Sequence, residues 1–459
     1  MQGLGDGQSS LRAPPRKVGT FAAYVSARRA GQAHRESDRN REKGEDRVTH
    51  LTAPWAEAKR LAGGLARFLC LVVALAGPIS SRAAPPAVAS APTNLSGNSE
   101  LMISYRHQER MWQTPDGALH LVINRGTIQP NPGLVLNSSF DGGVNWVPQV
   151  RFINANRNST VDGVLLGSLL ALVYGTADGG VFFAQLSYDS ALRTWQVNRS
   201  EAAYSSSQLD ADNPTIAIDD LGTAWCGFSV IDRITKDTHL RVIYRPSDGV
   251  WRDTGRVVGP VDHDSKERSA RMIRLPGAMG MIFRVRQETF WTTRNDADPY
   301  DGLSTPVKIL EGAPQRQIND PYSSHFSVIA DDTGYLHLLV ADDGDALYLR
   351  HSIGEAVWTP ARKLNGRGKV AYLQIGMANG QVAVVFSAAR GLGAVLLSQD
   401  SGESFREAFG LTLPSDSEGI SYKTGRVEVP DRSVGAFPVL QQYEDHGQQR
   451  LMVYKVPAP

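Results

Sequence analysis

The residues best suited to chemistry in this sequence stand in short polar clusters, each just ahead of an apolar run. Arg106, His107 and Glu109 precede one run, Asp210, Asp212 and Asn213 another, and His263, Arg268 and Arg271 a third. Asn319, Asp320, Tyr322 and His325 form a further cluster, as do Tyr422, Lys423 and Arg426. Arginine grips a carboxylate through two parallel N–H donors. Histidine, tyrosine and carboxylates pass protons near neutral pH. The set therefore suits recognition of an anionic ligand with proton transfer beside it. His120 and His337 hold equivalent places in apolar runs far apart in the chain, which fits packing rather than shared metal ligation. The reading includes no metal and no cofactor.

Something must bring these clusters together, and the chain repeats itself. Each repeat holds an apolar strand, a tight turn ending in Gly and a second apolar strand. The turns read Pro115-Asp116-Gly117, Asp220-Leu221-Gly222, Ala278-Met279-Gly280, Asp332-Thr333-Gly334, Ala378-Asn379-Gly380 and Arg432-Ser433-Val434-Gly435, with Gly167 marking the remaining one. A period of about 50 residues made of short strands is the signature of propeller blades. The sequence predicts an all-β fold, a β-propeller of seven blades, with six blades as the alternative. A pair of β-sandwiches is the competing architecture. In such a ring the first strand of each blade lines the channel, and the polar clusters sit at its mouth. The stretch Leu101-Met102-Ile103-Ser104-Tyr105 is expected to complete the last blade and remove an exposed sheet edge.

Residues 1–57 lack an apolar period and read as a disordered extension, or as a stretch ahead of a true start near Val48. Residues 58–91 have the layout of a secretory signal peptide. Lys59 and Arg60 lead, an apolar run spans 68–76, Gly77-Pro78 breaks it, and small residues follow to Ala91. The run is too short for a bilayer span. The expectation is a secreted or periplasmic protein whose single propeller covers 92–459, monomeric and without a stable membrane span once the signal is removed. With 48 Lys+Arg against 47 Asp+Glu, the chain shows no electrostatic footprint for nucleic acid. Cys226 lies in an apolar run and reads as a buried, inert thiol.

Two turns carry a sharper motif. Ser139-Phe140-Asp141-Gly142-Gly143-Val144-Asn145-Trp146 and Ser398-Gln399-Asp400-Ser401-Gly402-Glu403-Ser404-Phe405 both fit Ser-x-Asp-x-Gly-x-x-aromatic. Asp can accept backbone N–H groups in the turn, Gly can take positive φ, and the aromatic packs back beneath the blade. Ser187-Tyr188-Asp189, ending at Trp195, is a looser copy. The motif resembles the Asp-box of the sialidase-like, BNR-repeat propellers. That resemblance implies an acidic glycan partner. It also implies a peripheral, structural role for Ser139, Asp141, Gly143, Trp146, Ser398, Asp400, Gly402 and Phe405.

The sialidase pattern places (Phe/Tyr)-Arg-Ile-Pro ahead of the first turn. Here the Arg slot holds His107, Arg106 is one place off, and no Ile-Pro follows. Arg268 fills the equivalent slot of the fourth repeat. Some BNR-repeat polysaccharide lyases look like seven-bladed propellers. By that resemblance His107 or His325 would be the base, Tyr322 an acid or second base, and Arg268 the group neutralising a uronate carboxylate. Arg106, Asp212 and Arg271 would be further substrate contacts. The implied activity is that of a sialidase-like glycoside hydrolase or a uronate lyase. The alternative is a non-catalytic glycan- or protein-binding scaffold.

Overall fold

The computed structural model describes residues 88–99, 101–103, 108–127, 133–155, 160–247, 249–263, 268–312, 325–355, 357–364, 370–388, 392–412 and 425–457. Every regular element among them is a strand, and the strands form seven sheets. Six blades follow chain order outward from the channel: 111–152, 161–204, 209–263, 268–310, 326–363 and 370–411. The seventh joins Val427–Glu428, Phe437–Asp445 and Gln448–Val456 to the start of the described chain, Ala89–Gly97. Seven blades, not six, is the observed count.

Ring closure differs from the expected strand. Ala89–Gly97 pairs with Gln448–Val456, whereas Met102 and Ile103 are buried in the core beneath blade one. An outermost strand needs only one buried face. In Ala89–Gly97, Thr93, Leu95 and Gly97 alternate inward while Asn94 stays exposed. The apolar pair Met102-Ile103 suits the interior better. Asn94 fastens the closing strand to blade one. Its Oδ1 accepts the Trp146 N–H at 2.8 Å and its Nδ2 donates to the Trp146 carbonyl at 3.1 Å. The expected signal boundary at Ala91 falls inside this strand.

Positive φ occurs at Gly117, Gly167, Gly222, Gly334, Gly380 and Gly435, where turns are expected. Blade four departs from the pattern: its turn is Pro276-Gly277, and Gly280 lies within the strand Ala278–Val285. A Cβ on Gly280 would stand 2.2 Å from the Trp291 ring, so packing rather than turn geometry demands glycine there.

First strands are sheet edges, so their outward N–H groups need partners from the next blade. One device recurs. Asp162 Oδ2 accepts the Ile216 N–H at 2.8 Å, Thr215 Oγ1 the Met272 N–H at 3.1 Å, and Ser327 Oγ the Ile375 N–H at 3.2 Å. Between blades six and seven the chain itself is the seam. Arg432–Ser433 pairs in parallel with Met377–Ala378, and the Met377 N–H meets the Asp431 carbonyl at 2.7 Å. This crossing needs Gly376, where a Cβ would approach the Pro430 carbonyl oxygen to 2.4 Å.

The two equivalent histidines belong to a second recurring device. Thr114, Asp219 and Asp331 open their turns, and each bonds the side chain six residues on. The contacts are to His120 Nε2 at 2.9 Å, Trp225 Nε1 at 2.9 Å and His337 Nε2 at 3.0 Å. Trp195 Nε1 donates to His120 Nδ1 at 2.9 Å, and burial pushes the imidazole down to about 4, so it stays neutral. Cys226 is fully buried and burial raises its thiol well above the ordinary range.

Replacing Gly376 with alanine should lower stability by about 1–3 kcal/mol, because the contact is with backbone that cannot rotate away. Urea denaturation measures this. A Gly376→Ala variant as stable as the parent would show that 429–433 does not lie tightly on blade six.

Candidate functional site

All first strands begin at one end of the channel, here the loop end, and finish at the turn end. At the loop end His325 stands directly before Phe326–Ala330, its carbonyl accepting the Ala341 N–H at 2.9 Å. The His325 ring lies against Tyr372 with centroids 5.3 Å apart. The Arg426 guanidinium lies over the Tyr372 ring, 4.5 Å from its centroid. Glu428 Oε1 accepts the Arg110 N–H at 3.4 Å. Arg284 donates to the carbonyls of Ala341 at 2.9 Å and Gln287 at 3.0 Å.

Arg268 opens the first strand of blade four. Its Nε donates to Thr238 Oγ1 at 2.8 Å and its Nη1 to the Pro260 carbonyl at 2.6 Å. Burial lowers its pKa to about 10, with Asp262 opposing the shift and Arg286 adding to it. Asp212 accepts Thr160 Oγ1 at 3.3 Å and the Asn213 N–H at 2.8 Å, at a bulge where Asn213 takes φ 52°. Asn213 Nδ2 reaches the Arg268 carbonyl at 3.4 Å. Four buried arginines, Arg110, Arg268, Arg284 and Arg426, thus share the loop end with His325 and Tyr372. Arg106, His107 and Tyr322 lie outside the described residues, as do residues 58–87 of the signal-like segment.

Arg271 has a different setting. It extends from blade four across the channel to three other blades. Its Nη1 bonds Asp162 Oδ1 of blade two, and its Nη2 meets Glu109 Oε2 at 3.3 Å and Asp431 Oδ2 at 3.0 Å. Glu109 adjoins blade one and Asp431 blade seven. Asp162 further accepts the Glu109 N–H at 2.8 Å and Thr215 Oγ1 at 2.7 Å. Glu109 Oε1 accepts the Asp431 N–H at 3.2 Å. Burial works against the Arg271 charge, yet the three carboxylates, Asp162 foremost, raise its pKa above that of a free guanidinium. Burial and then the Asp431 charge hold Glu109 well above the ordinary carboxylate range. Burial also raises Asp162.

The two sharp turn motifs sit between the third and fourth strands, at the outer part of their blades. Asp141 accepts the N–H groups of Val144 at 3.1 Å and Asn145 at 3.0 Å, and Ser139 Oγ at 2.8 Å. The Gly143 N–H donates to Ser139 Oγ at 2.8 Å, and Trp146 Nε1 to the Gly143 carbonyl at 2.8 Å. Asp400 repeats this with the Ser404 N–H at 2.8 Å and Ser398 Oγ at 2.7 Å. Gly402 N–H bonds Ser398 Oγ, and the Phe405 ring meets Tyr348 edge-on at 4.9 Å. Against a burial cost, the Asn145 N–H groups and Ser139 hold Asp141 down to about 2; the Ser404 hydroxyl and N–H do so for Asp400.

Asp162 and Asp431 were not singled out by sequence. Asp162 is one acidic residue in an otherwise apolar segment, Asp431 stands among other polar residues, and only the ring closure brings them to Arg271. Among the described residues, no group of three His, Cys, Asp or Glu side chains could hold a metal ion, and no helix is long and apolar enough to cross a membrane.

No family model matches the chain, and no curated protein matches it. Similar solved structures include the polysaccharide lyase Uly1, at 10% identity and TM-score 0.45, covering 76% of this chain and 90% of that one. The Aleuria aurantia lectin with Fucα1-6GlcNAc is 10% identical at TM-score 0.41, covering 67% of this chain and 98% of that one. Trypanosoma rangeli sialidase is 9% identical at TM-score 0.44, covering 81% of this chain and 60% of that one. The fold assignment rests on the seven sheets themselves.

Glu109 supplies a test of the Arg271 cluster. Its folded pKa lies above its unfolded one, so as pH rises the unfolded chain loses this proton first. Its contribution is then full below the ordinary carboxylate pKa and is lost as pH rises through the folded value. Denaturation across pH should show Glu109→Gln flattening that decline. Arg271→Leu should cost about 3–5 kcal/mol by stranding buried carboxylates. An Arg271→Leu variant of parental stability would remove the cluster from any structural role. The chain is an all-β, seven-bladed β-propeller, the fold that the spacing of its turns predicts.

Proposed function

We propose that this chain is an exported propeller that takes an acidic glycan at the loop end of its channel. The gathering of Arg110, Arg268, Arg284 and Arg426 around that end carries the reading. Arg268 and Arg284 are fixed in place by Thr238 and by the Pro260, Ala341 and Gln287 carbonyls, so pairing with a carboxylate would add little further ordering cost. Burial depresses the Arg268 pKa, and a carboxylate beside the guanidinium would raise it again. Tyr372 is buried between His325 and Arg426 and helps to position the Arg426 guanidinium.

Processing of the glycan is the next step of this reading. A base, His107 or His325, would take the proton beside a uronate carboxylate neutralised by Arg268. The electron pair would form a carbon–carbon double bond and expel the glycosidic oxygen, which Tyr322 would protonate. Arg106 and Asp212 would hold the sugar. Arg271 contributes differently from the expectation above, by tying blades across the channel rather than touching substrate. The motifs at Ser139–Trp146 and Ser398–Phe405 act as Asp-boxes that brace outer hairpins. One observation favours the non-catalytic alternative: His325 is 3% exposed, beneath Tyr372. His107 is then the stronger candidate base.

The test is to incubate the mature protein with sialosides and with uronate polymers. Unsaturated product absorbing in the ultraviolet identifies a lyase, and free sialic acid identifies a glycosidase. Saturable binding without product supports the scaffold. In any of these cases Arg268→Gln should weaken acidic-glycan binding by about tenfold or more, with unfolding followed to confirm an intact ring. Unchanged affinity in a folded Arg268→Gln protein, or no binding to either panel, would overturn the reading.

A further inference from the structure

The turn end of the channel holds a cavity of 610 Å³, within the range of small-molecule sites. The first-strand turns surround it. Its walls include Trp112, Leu165, Ile216, Ile218, Ile273 and Ile329. Glu109, Arg271 and Asp431 also line it. Blade six contributes none of the lining residues, because 429–433 crosses its inner face.

Charges at the rim are balanced in pairs between blades. Arg274 Nε meets Asp220 Oδ1 at 2.7 Å, and Arg432 Nη1 meets both Asp332 oxygens at 2.8 and 2.9 Å. Deeper in, the balance fails. Arg271 turns Nη1 to Asp162 and leaves Nη2 to be shared by Glu109 and Asp431. The Asp431 side chain is 36% exposed. Two carboxyl groups therefore face the cavity with half a guanidinium between them, above hydrocarbon walls.

The geometry points to a second binding site, in which this cavity takes an aliphatic primary ammonium. Its –NH₃⁺ sits between Glu109 and Asp431, and its hydrocarbon chain lies along the isoleucine and leucine walls. An anion would meet the Asp431 carboxylate and the Glu109 carboxyl group, and a neutral hydrocarbon would strip water from them without replacing it. A hydrated divalent cation would need more oxygen ligands than face this space, and Arg271 occupies one side. The groups facing Glu109 are Arg271, Asp162 and Asp431. A second cation among them favours ionised Glu109, so binding should release a proton.

Isothermal titration calorimetry of the full mature chain tests this with n-hexylammonium, hexanol and hexanoate as probes. Hexylammonium should bind one to one, with the other two weaker by about tenfold or more. Repeating the titration in buffers of different ionisation enthalpy should reveal proton release. Asp431→Asn should weaken hexylammonium binding by about tenfold or more. Ile218→Trp should block the cavity while leaving the ion cluster intact, so a folding defect in Asp431→Asn would not spare the proposal. Equal binding of hexanol, no saturable hexylammonium binding, or unchanged affinity in Ile218→Trp would overturn it. Glycan binding at the loop end is measured separately and does not bear on this outcome.

Discussion

The ring depends on a charge held across its own axis. Arg271 leaves blade four and is met by carboxylates from blade two, from the approach to blade one and from the approach to blade seven. A buried ion cluster of this kind is a weak source of net stability, since desolvation offsets most of the Coulomb gain. Its effect is one of specification. Seven sheets of similar size could slide against one another at modest cost in apolar contact. Three carboxylates converging on one guanidinium permit a single arrangement without stranding charge. Two further features follow from it. Asp431 reaches the axis only because 429–433 lies over blade six, and that crossing needs the bare Cα of Gly376. Asp162 serves twice, as the partner of Arg271 and as the acceptor for the Ile216 N–H in the seam between blades.

The repeat was legible because its signal is local. A turn needing positive φ selects glycine, and a strand buried on both faces selects a continuous apolar run, so their alternation at a steady period shows through in single residues. The Ser-x-Asp-x-Gly turns were legible for the same reason, since every hydrogen bond to the Asp141 and Asp400 carboxylates comes from within four residues. Where tertiary contacts decide, sequence misled or was silent. Gly280 imitates a turn glycine but answers to the Trp291 ring. Met102 and Ile103 look like a strand yet are drawn inward by their bulk, leaving the more polar Ala89–Gly97 to close the ring. Asp162 and Asp431 carry no local signal, because their partner is more than a hundred residues away.

The two ends of the channel are built from unlike materials. At the turn end, compact hairpins hold themselves through Thr114, Asp219 and Asp331, each reaching the residue six positions on. Those contacts leave the turns short and the space between them lined by hydrocarbon. At the loop end, buried arginines are held by carbonyls, a hydroxyl and an aromatic face. Rigid strands position both ends, which is the arrangement that lets loops vary in chemistry while the scaffold stays constant.

Arg268 and Arg271 show how far residue type alone can carry a functional argument. They stand three apart in one strand, an odd spacing that sends their side chains to opposite faces. Both are buried, both come from the same polar cluster, and sequence offers the same role for each. On one face Arg268 finds Thr238 and the Pro260 carbonyl, and burial pulls its pKa down to about 10. On the other, Arg271 finds three carboxylates that raise its pKa above the free value. A guanidinium already surrounded by three carboxylates gains little from another anion. The strand's pleat, rather than the arginine, therefore decides which of the two meets the three carboxylates and holds the ring.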